Sequence, residues 1–342
     1  MLRFKSALLA GIILISPACS EQSVQTSDIA TVPAVAETDS VGTIGDDAAD
    51  DPAIWRNPED PSQSLIIGTD KKAGLHIYDL RGKQKSFLAA QAVNNVDLRT
   101  IDQTILVGAS DRSDPEQPRL ALYTLDVEKA ALNPLANIPA GTGEAYGFCF
   151  GVLGEDDLRA FIVTKEGGII DMSITLSGGT ATAEVKRMFK LETQPEGCVV
   201  DDRTGVLYIG EENVGIWSFD LNQDNPAPVG FAVLKAGELT ADVEGLALAP
   251  DGATSGYLLA SSQGDNSYAI YDLESRQFRS RFAVEDGDID TTSDTDGIDM
   301  MLGDFGPDYP GGIFVAQDGD NGDGTQNFKF LSWDAIRKSL DL

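Results

Sequence analysis

Apolar residues along this chain come in short runs, such as Leu65-Ile66-Ile67 and Ile105-Leu106-Val107, or in alternation, as in Leu75-His76-Ile77-Tyr78. Apolar residues at helical spacing are almost absent outside the extreme ends. Runs and alternation of this kind predict β-strands. The strands fall into a three-part unit that recurs six times. Each unit opens on a strand entered through polar residues. The six openers are Asp50-Asp51, Asn94-Asn95-Val96-Asp97, Glu144-Ala145-Tyr146, Glu196-Gly197, Asp242-Val243-Glu244-Gly245 and Asp294-Thr295-Asp296-Gly297. A second apolar strand then runs out into Asp70-Lys71-Lys72, Ser110-Asp111-Arg112, Lys165-Glu166, Glu211-Glu212-Asn213, Gln263-Gly264-Asp265 or Gln317-Asp318. In an antiparallel pair the start of one strand lies beside the end of the next. All twelve polar clusters are therefore expected on one rim of the fold.

The third strands set the period. They are read as Gly74–Asp79, Arg119–Asp126, Gly168–Ser173, Gly215–Asp220, Ser267–Asp272 and Phe328–Asp334. The first four end at Asp79, Asp126, Ser173 and Asp220, each 47 residues after the one before. Repeats of roughly 40–50 residues built from short strands signal propeller blades. The expected fold is all-β: a six-bladed β-propeller with four-stranded antiparallel blades. Outer fourth strands are expected at, for example, Phe87–Ala92 and Val185–Leu191. A β-sandwich is the competing architecture, but it does not need a repeated triple of this kind.

Three segments are expected. Residues 1–18 read as a signal peptide: Arg3 and Lys5, then apolar Ala7–Ile15, then Ser16-Pro17-Ala18. Cys19 would be the first mature residue. It is either a lipid-anchored residue of a lipoprotein or an ordinary residue of the signal's tail, so the chain is expected to be exported: periplasmic, secreted or anchored at the outer membrane. Residues 19–39 lack periodicity and are expected to form a flexible tether. Residues 40–342 would form the propeller. Export permits a disulfide, but Cys149 and Cys198 match no metal motif and are expected to be two buried free thiols.

The formal net charge is −30, from 55 acidic and 25 basic side chains. A chain this acidic repels nucleic acid and anionic lipid, so membrane contact is expected only through the N-terminal anchor. Most of the acids read as a solvated surface. Acids at the blade openings, however, would repel one another unless cations neutralise them, and carboxylate oxygens suit hard divalent ions, above all Ca²⁺. The single His76 reads as structural. Asp286–Asp290 and Asp318–Gly324 resemble Ca²⁺ loops without satisfying the EF-hand pattern. They are either looser Ca²⁺ sites or polar loops. Lys71, Lys72, Arg112 and Lys165 all lie at second-strand ends. A rim that mixes Lys, Arg and metal ions is suited to phosphate. The chain lacks a phosphate-loop motif and a Gly-x-Ser-x-Gly elbow, and it carries no repeated His spacing. Water activated by a metal is the chemistry that remains.

At these same residues the sequence resembles the β-propeller phytases, the Ca²⁺-dependent alkaline phytases of bacteria. The matching stretches include Asp47-Ala48-Ala49-Asp50-Asp51-Pro52-Ala53-Ile54-Trp55, Lys71-Lys72-Ala73-Gly74-Leu75, Asn94-Asn95-Val96-Asp97, Tyr146-Gly147-Phe148, Lys165-Glu166-Gly167, Asp242-Val243-Glu244-Gly245-Leu246 and Ser293-Asp294-Thr295-Asp296-Gly297-Ile298-Asp299. The resemblance implies a monomeric enzyme that hydrolyses phytate, myo-inositol hexakisphosphate, as its Ca²⁺ complex. Regiochemistry of the 3-phytase type is implied, with direct attack by Ca²⁺-activated water. It implies phosphate contacts at Lys71, Lys72, Arg112, Tyr146 and Lys165, with Glu166 and Glu211 among the catalytic residues. Ca²⁺ ligands are implied at Glu166, Glu196, Glu211, Glu212, Asp242, Glu244, Gln263, Asp290 and Asp296. Asp50, Asp51, Asn95 and Asp97 are implied for further structural calcium. At Asp288–Thr292 the sequence departs from the family's usual Asp-Gly-Thr, which touches Asp290. The alternatives are a propeller hydrolase of another substrate, such as a lactonase, and a non-catalytic propeller that binds phosphate or Ca²⁺.

Overall fold

The computed structural model describes residues 29–45, 47–155, 157–322 and 324–342. The apolar runs form strands, and hairpin turns fold most successive strands into six antiparallel four-stranded blades, one of which gains a fifth, parallel strand at its edge. Blade one runs Ala49–Trp55, Leu65–Asp70, Gly74–Asp79 and Gln84–Ala89. Blade two runs Val93–Ile101, Thr104–Asp111, Arg119–Asp126 and Ala131–Pro139. Blade three runs Ala145–Val152, Leu158–Thr164, Gly168–Ser177 and Thr180–Lys190. Blade four runs Pro195–Asp201, Val206–Glu211, Gly215–Asp220 and Val229–Val233. Blade five runs Val243–Asp251, Ser255–Ser262, Ser267–Asp272 and Phe278–Val284. Blade six runs Ile298–Leu302, Gly312–Asp318 and Asn327–Ser332, with a fourth strand from the N-terminus.

The first strand of each blade packs against the first strand of the next. The innermost strand of blade six meets that of blade one, so the ring closes. Burial follows position. Ala49–Trp55 is buried along its whole length, whereas outermost Gln84–Ala89 alternates with solvent. The core lies in the wedges between blades. Ala53, Ile67 and Ile77 of blade one meet Val96, Val107 and Tyr123 of blade two. Ile54, Ile66 and Tyr78 on the other face meet Phe328 and Phe330 of blade six. Gly68 permits that second wedge: a Cβ there would lie 2.4 Å from the Phe328 ring.

Several expectations are corrected. Residues 30–37 are not tether. Ala36–Glu37 is the antiparallel outer strand of blade six, with Ala36 opposite Phe330, and Ala30–Val32 pairs in parallel with Phe282–Val284 of blade five. The physical reason is that, among the described residues, no strand follows the third strand of blade six. Asn327–Ser332 passes straight into the helix Trp333–Leu340, which buries Trp333 and Ile336. Without the N-terminal segment its backbone edge would be bare. The last third strand accordingly ends at Ser332, not Asp334. The fourth strands also start earlier than expected, at Gln84 and Thr180. Cys149 and Cys198 are not free thiols; they form a disulfide. They lie on the innermost strands of adjacent blades, which converge at the centre and bring the two Cα atoms to 5.7 Å. The expected signal peptide and Cys19 lie outside the described residues.

Candidate active site

The repeat places one side chain per blade around the upper end of the central channel. In blades one to five the ladder between first and second strands slips at the same point: Ala49/Pro52, Val93/Val96, Ala145/Phe148, Pro195/Cys198 and Val243/Leu246. Such a bulge inserts unpaired residues and re-aims their side chains. The first skipped residues are Asp50, Asn94, Tyr146, Glu196 and Glu244. Asp296, just before Ile298, is their counterpart in blade six. The second skipped residues are Asp51, Asn95, Gly147, Gly197 and Gly245, with Gly297 in blade six. In blades three to six the neighbouring backbone requires glycine there: a Cβ on Gly197 would lie 2.1 Å from the Glu244 carbonyl oxygen. The close approach is used for bonding. Gly245 N–H donates to Asp296 O at 3.1 Å, and Gly297 N–H donates to Asp50 O at 2.9 Å.

A second ring surrounds the first. It is made by the residue that follows the last paired position of each second strand: Lys71, Arg112, Lys165, Glu212 and Gln263, with Gly319 in blade six. Blades one to three thus present cations, while blades four to six present acid, amide and glycine. The Lys71 ammonium lies 2.9 Å from Asp50 Oδ1, 2.9 Å from Asp47 Oδ2 and 3.2 Å from Asp296 Oδ2. Burial works against its charge, but Asp50, Asp296, Glu196 and Asp47 outweigh this and hold Lys71 above the usual lysine range. Arg112 Nη2 and Lys165 Nζ share Glu144 Oε1, at 2.8 and 3.3 Å. Both cations also sit over the Tyr146 ring, 5.4 and 4.5 Å from its centroid.

The acids on the other side have no such partners. Glu196, Glu212 and Glu244 each offer an oxygen, and these oxygens lie within 4.8 Å of one another. Glu244 Oε2 is buried without a hydrogen-bond partner. Burial, aided by Asp50, pushes Glu196 up to about 7. Burial and Glu196 push Glu244 well above the carboxylate range. Asp296 also lies well above it, because burial, Asp50 and Glu196 overcome the opposing pull of Lys71. Buried carboxylates this close need either protons or a cation. Every donor atom is oxygen, and an unpartnered acceptor faces the group, so the cluster fits a hard divalent ion such as Ca²⁺. Asp242 and Gln263 line the same depression, whose volume is about 380 Å³. Gln263 donates to Asp296 at 2.6 Å.

The remaining candidates divide by position. Asp51, Asn95 and Asp97 line a separate cavity of about 360 Å³ further down the channel. There Asp97 pairs with Arg99 at 2.9 Å, and burial together with Asp97 raises Asp299 to about 7. Glu166 is exposed beside the rim and accepts from Glu144 N–H. Lys72 is exposed and is not among the residues that line the depression. Glu211 is not part of the cluster. It is the paired residue opposite Pro195, and its oxygens accept from Thr193 and from Trp217 Nε1 at 2.7 Å. Asp290 is not brought to the centre either; it pairs with Lys329 in blade six. The sequence reading left out Asn94, whose side-chain amide donates to Asp50 and Glu196 at 2.9 and 2.8 Å. Its place in the repeat, equivalent to Asp50, was the available signal. Glu144 and Asp47 were missed as partners of the cations for want of register.

A family model described as Phytase matches residues 3–342. The chain is 41% identical over 329 residues to a protein named 3-phytase from Bacillus subtilis (strain 168), covering 90% of this chain and 85% of that protein. Among solved structures it is similar to a chain described under "Crystal Structure of Mitotic Checkpoint Complex", at 13% identity and a TM-score of 0.49, covering 98% of this chain and 86% of that one. That last likeness carries no functional argument. With the family profile matched across nearly the whole chain, and a close relative aligned over most of it, this protein belongs to the phytase family.

Proposed function

We propose that this chain is a phosphoric monoester hydrolase that removes phosphate from phytate, and that its activity depends on calcium. The observation that carries the reading is the divided mouth: Arg112 and Lys165 on one side, and Glu196, Glu212 and Glu244 on the other. A polyphosphorylated ring needs cationic grips for some of its phosphates and metal ions to make an acidic wall tolerable to the rest. Asp50, Glu196, Glu212, Glu244 and Asp296 would hold calcium, with Asp242 and Gln263 beside them. When bound, calcium supplies charge neutralisation at phosphoryl oxygens and lowers the pKa of water. Arg112 grips two phosphate oxygens, Lys165 adds a point charge, and the Tyr146 ring holds both cations in place. Lys71, enclosed by three carboxylates, fixes Asp50 and Asp296 and lowers the net negative charge of the cluster. The family match and the name of the Bacillus relative support phytate as substrate and first attack at the 3-position. We also propose that the chain works outside the cytoplasm; a buried disulfide suits an oxidising compartment.

The test is phosphate release from phytate by the purified protein across a calcium titration, with the chelated protein as the starting point. Release that rises with calcium and is abolished by chelation is expected. Undiminished release in excess chelator overturns the calcium dependence, and no release at any calcium concentration overturns the hydrolase reading.

A further inference from the structure

A second concentration of charge lies where the ring closes, outside the central site. The side chain of Lys329, on the third strand of blade six, is 0% exposed. Its ammonium meets Glu37 Oε2 at 2.6 Å, Asn321 Oδ1 at 3.0 Å and Asp318 Oδ2 at 3.2 Å, and it bonds to Asp290. These partners come from four segments. Glu37 is on the N-terminal strand, and Asp290 is on the link between blades five and six. Asp318 ends the second strand of blade six, and Asn321 lies in the loop that follows.

Three carboxylates and an amide oxygen converging on one point are a donor set for a hard cation. Glu37 and Asp290 are 37% and 42% exposed, so ions in solution can reach this side. The point is already filled. A calcium ion held at about 2.3–2.6 Å from these oxygens would overlap the space that Nζ occupies, and the two charges would repel. Burial disfavours the Lys329 charge, but the bonds to Asp290 and Glu37 and the charge of Asp318 outweigh it and raise its pKa. The calcium role that the family resemblance implies for Asp290 therefore does not fit this chain.

We infer that Lys329 is the resident cation of this corner: its ammonium, and not a metal ion, ties the first strand, the inter-blade link and the last blade together. Closure of the ring then draws no calcium, whatever the central site requires. The experiment counts calcium ions bound per chain by equilibrium dialysis for the full-length protein, for Asp290→Asn and for Lys329→Ala. The count is read without any activity, so its outcome is separate from the hydrolase reading. Equal counts are expected for the wild type and D290N, and one additional calcium for K329A, whose acids lose their ammonium. Loss of one calcium in D290N overturns the inference, as does a folded K329A protein that binds no additional ion. Where K329A does not fold, the D290N comparison decides alone.

Discussion

Arg112 and Lys165 share one carboxylate and one aromatic ring, so they are held as a pair before any anion arrives. Charge-assisted hydrogen bonds of this kind contribute about 1.5–3 kcal/mol each. Arg112→Ala or Lys165→Ala should lower kcat/KM for phytate about ten- to a hundredfold, mostly through KM. Steady-state kinetics at saturating calcium check this, and unchanged kinetics in both variants would remove them from the site. Tyr146→Phe keeps the ring under both cations and should be milder than Tyr146→Ala in the same assay. At this scale the sequence was readable in kind but not in direction. The repeat put charged residues at the rim, yet it could not choose between Glu211 and Glu212. Successive strand residues face opposite ways, and only the pairing of Pro195 with Glu211 shows which one turns inward. Asp290 sits beside Lys329, a partner far along the chain in another strand that sequence alone does not bring to it.

Elements were more legible than residues. Four of the six third strands were placed to the residue, because apolar alternation and a glycine or polar boundary mark both ends. Outer strands were harder: half exposed and mixed in composition, they carry a weak period. The disulfide was missed for a related reason, since strand assignment alone does not say that two innermost strands converge. It joins blades three and four, which is where the cationic half of the mouth meets the acidic half. With the two cysteines 49 positions apart in sequence, loop-closure entropy suggests about 4 kcal/mol. The C149A/C198A double variant should lose stability of that order in guanidinium unfolding, and an unchanged midpoint would deny the cross-link a stabilising role. Gly197→Ala should also be costly. Its Cβ meets the Glu244 backbone, so blades four and five must part, and a lowered melting temperature is expected together with weakened calcium binding.

For the molecule as a whole, the central acids make stability depend on pH and calcium together. Glu196 lies at about 7 against an ordinary value of 4.5, and Glu244 and Asp296 are raised in the same direction. A carboxyl whose folded pKa is raised adds stability that is complete below its ordinary pKa and is lost as pH rises through the folded value. In chelator, the melting temperature should therefore fall between about pH 5 and pH 8. Calcium binds the ionised form, so its stabilising effect should be larger at pH 8 than at pH 5. Melting curves at the two pH values, with and without calcium, check the sign, and a larger calcium effect at pH 5 would refute it. The circular order of blades was visible in the repeat, but the closing strand was not, since Ala36-Glu37 is too short and plain to stand out.

That two-residue strand also sets a timetable. Ala36 finds Phe330 only when blade six has been made, and contacts so distant in sequence form slowly. Any product cut short before blade six leaves the earliest segment without a mate and the circle gaping. The ring is thus locked only once its sixth blade has been synthesised.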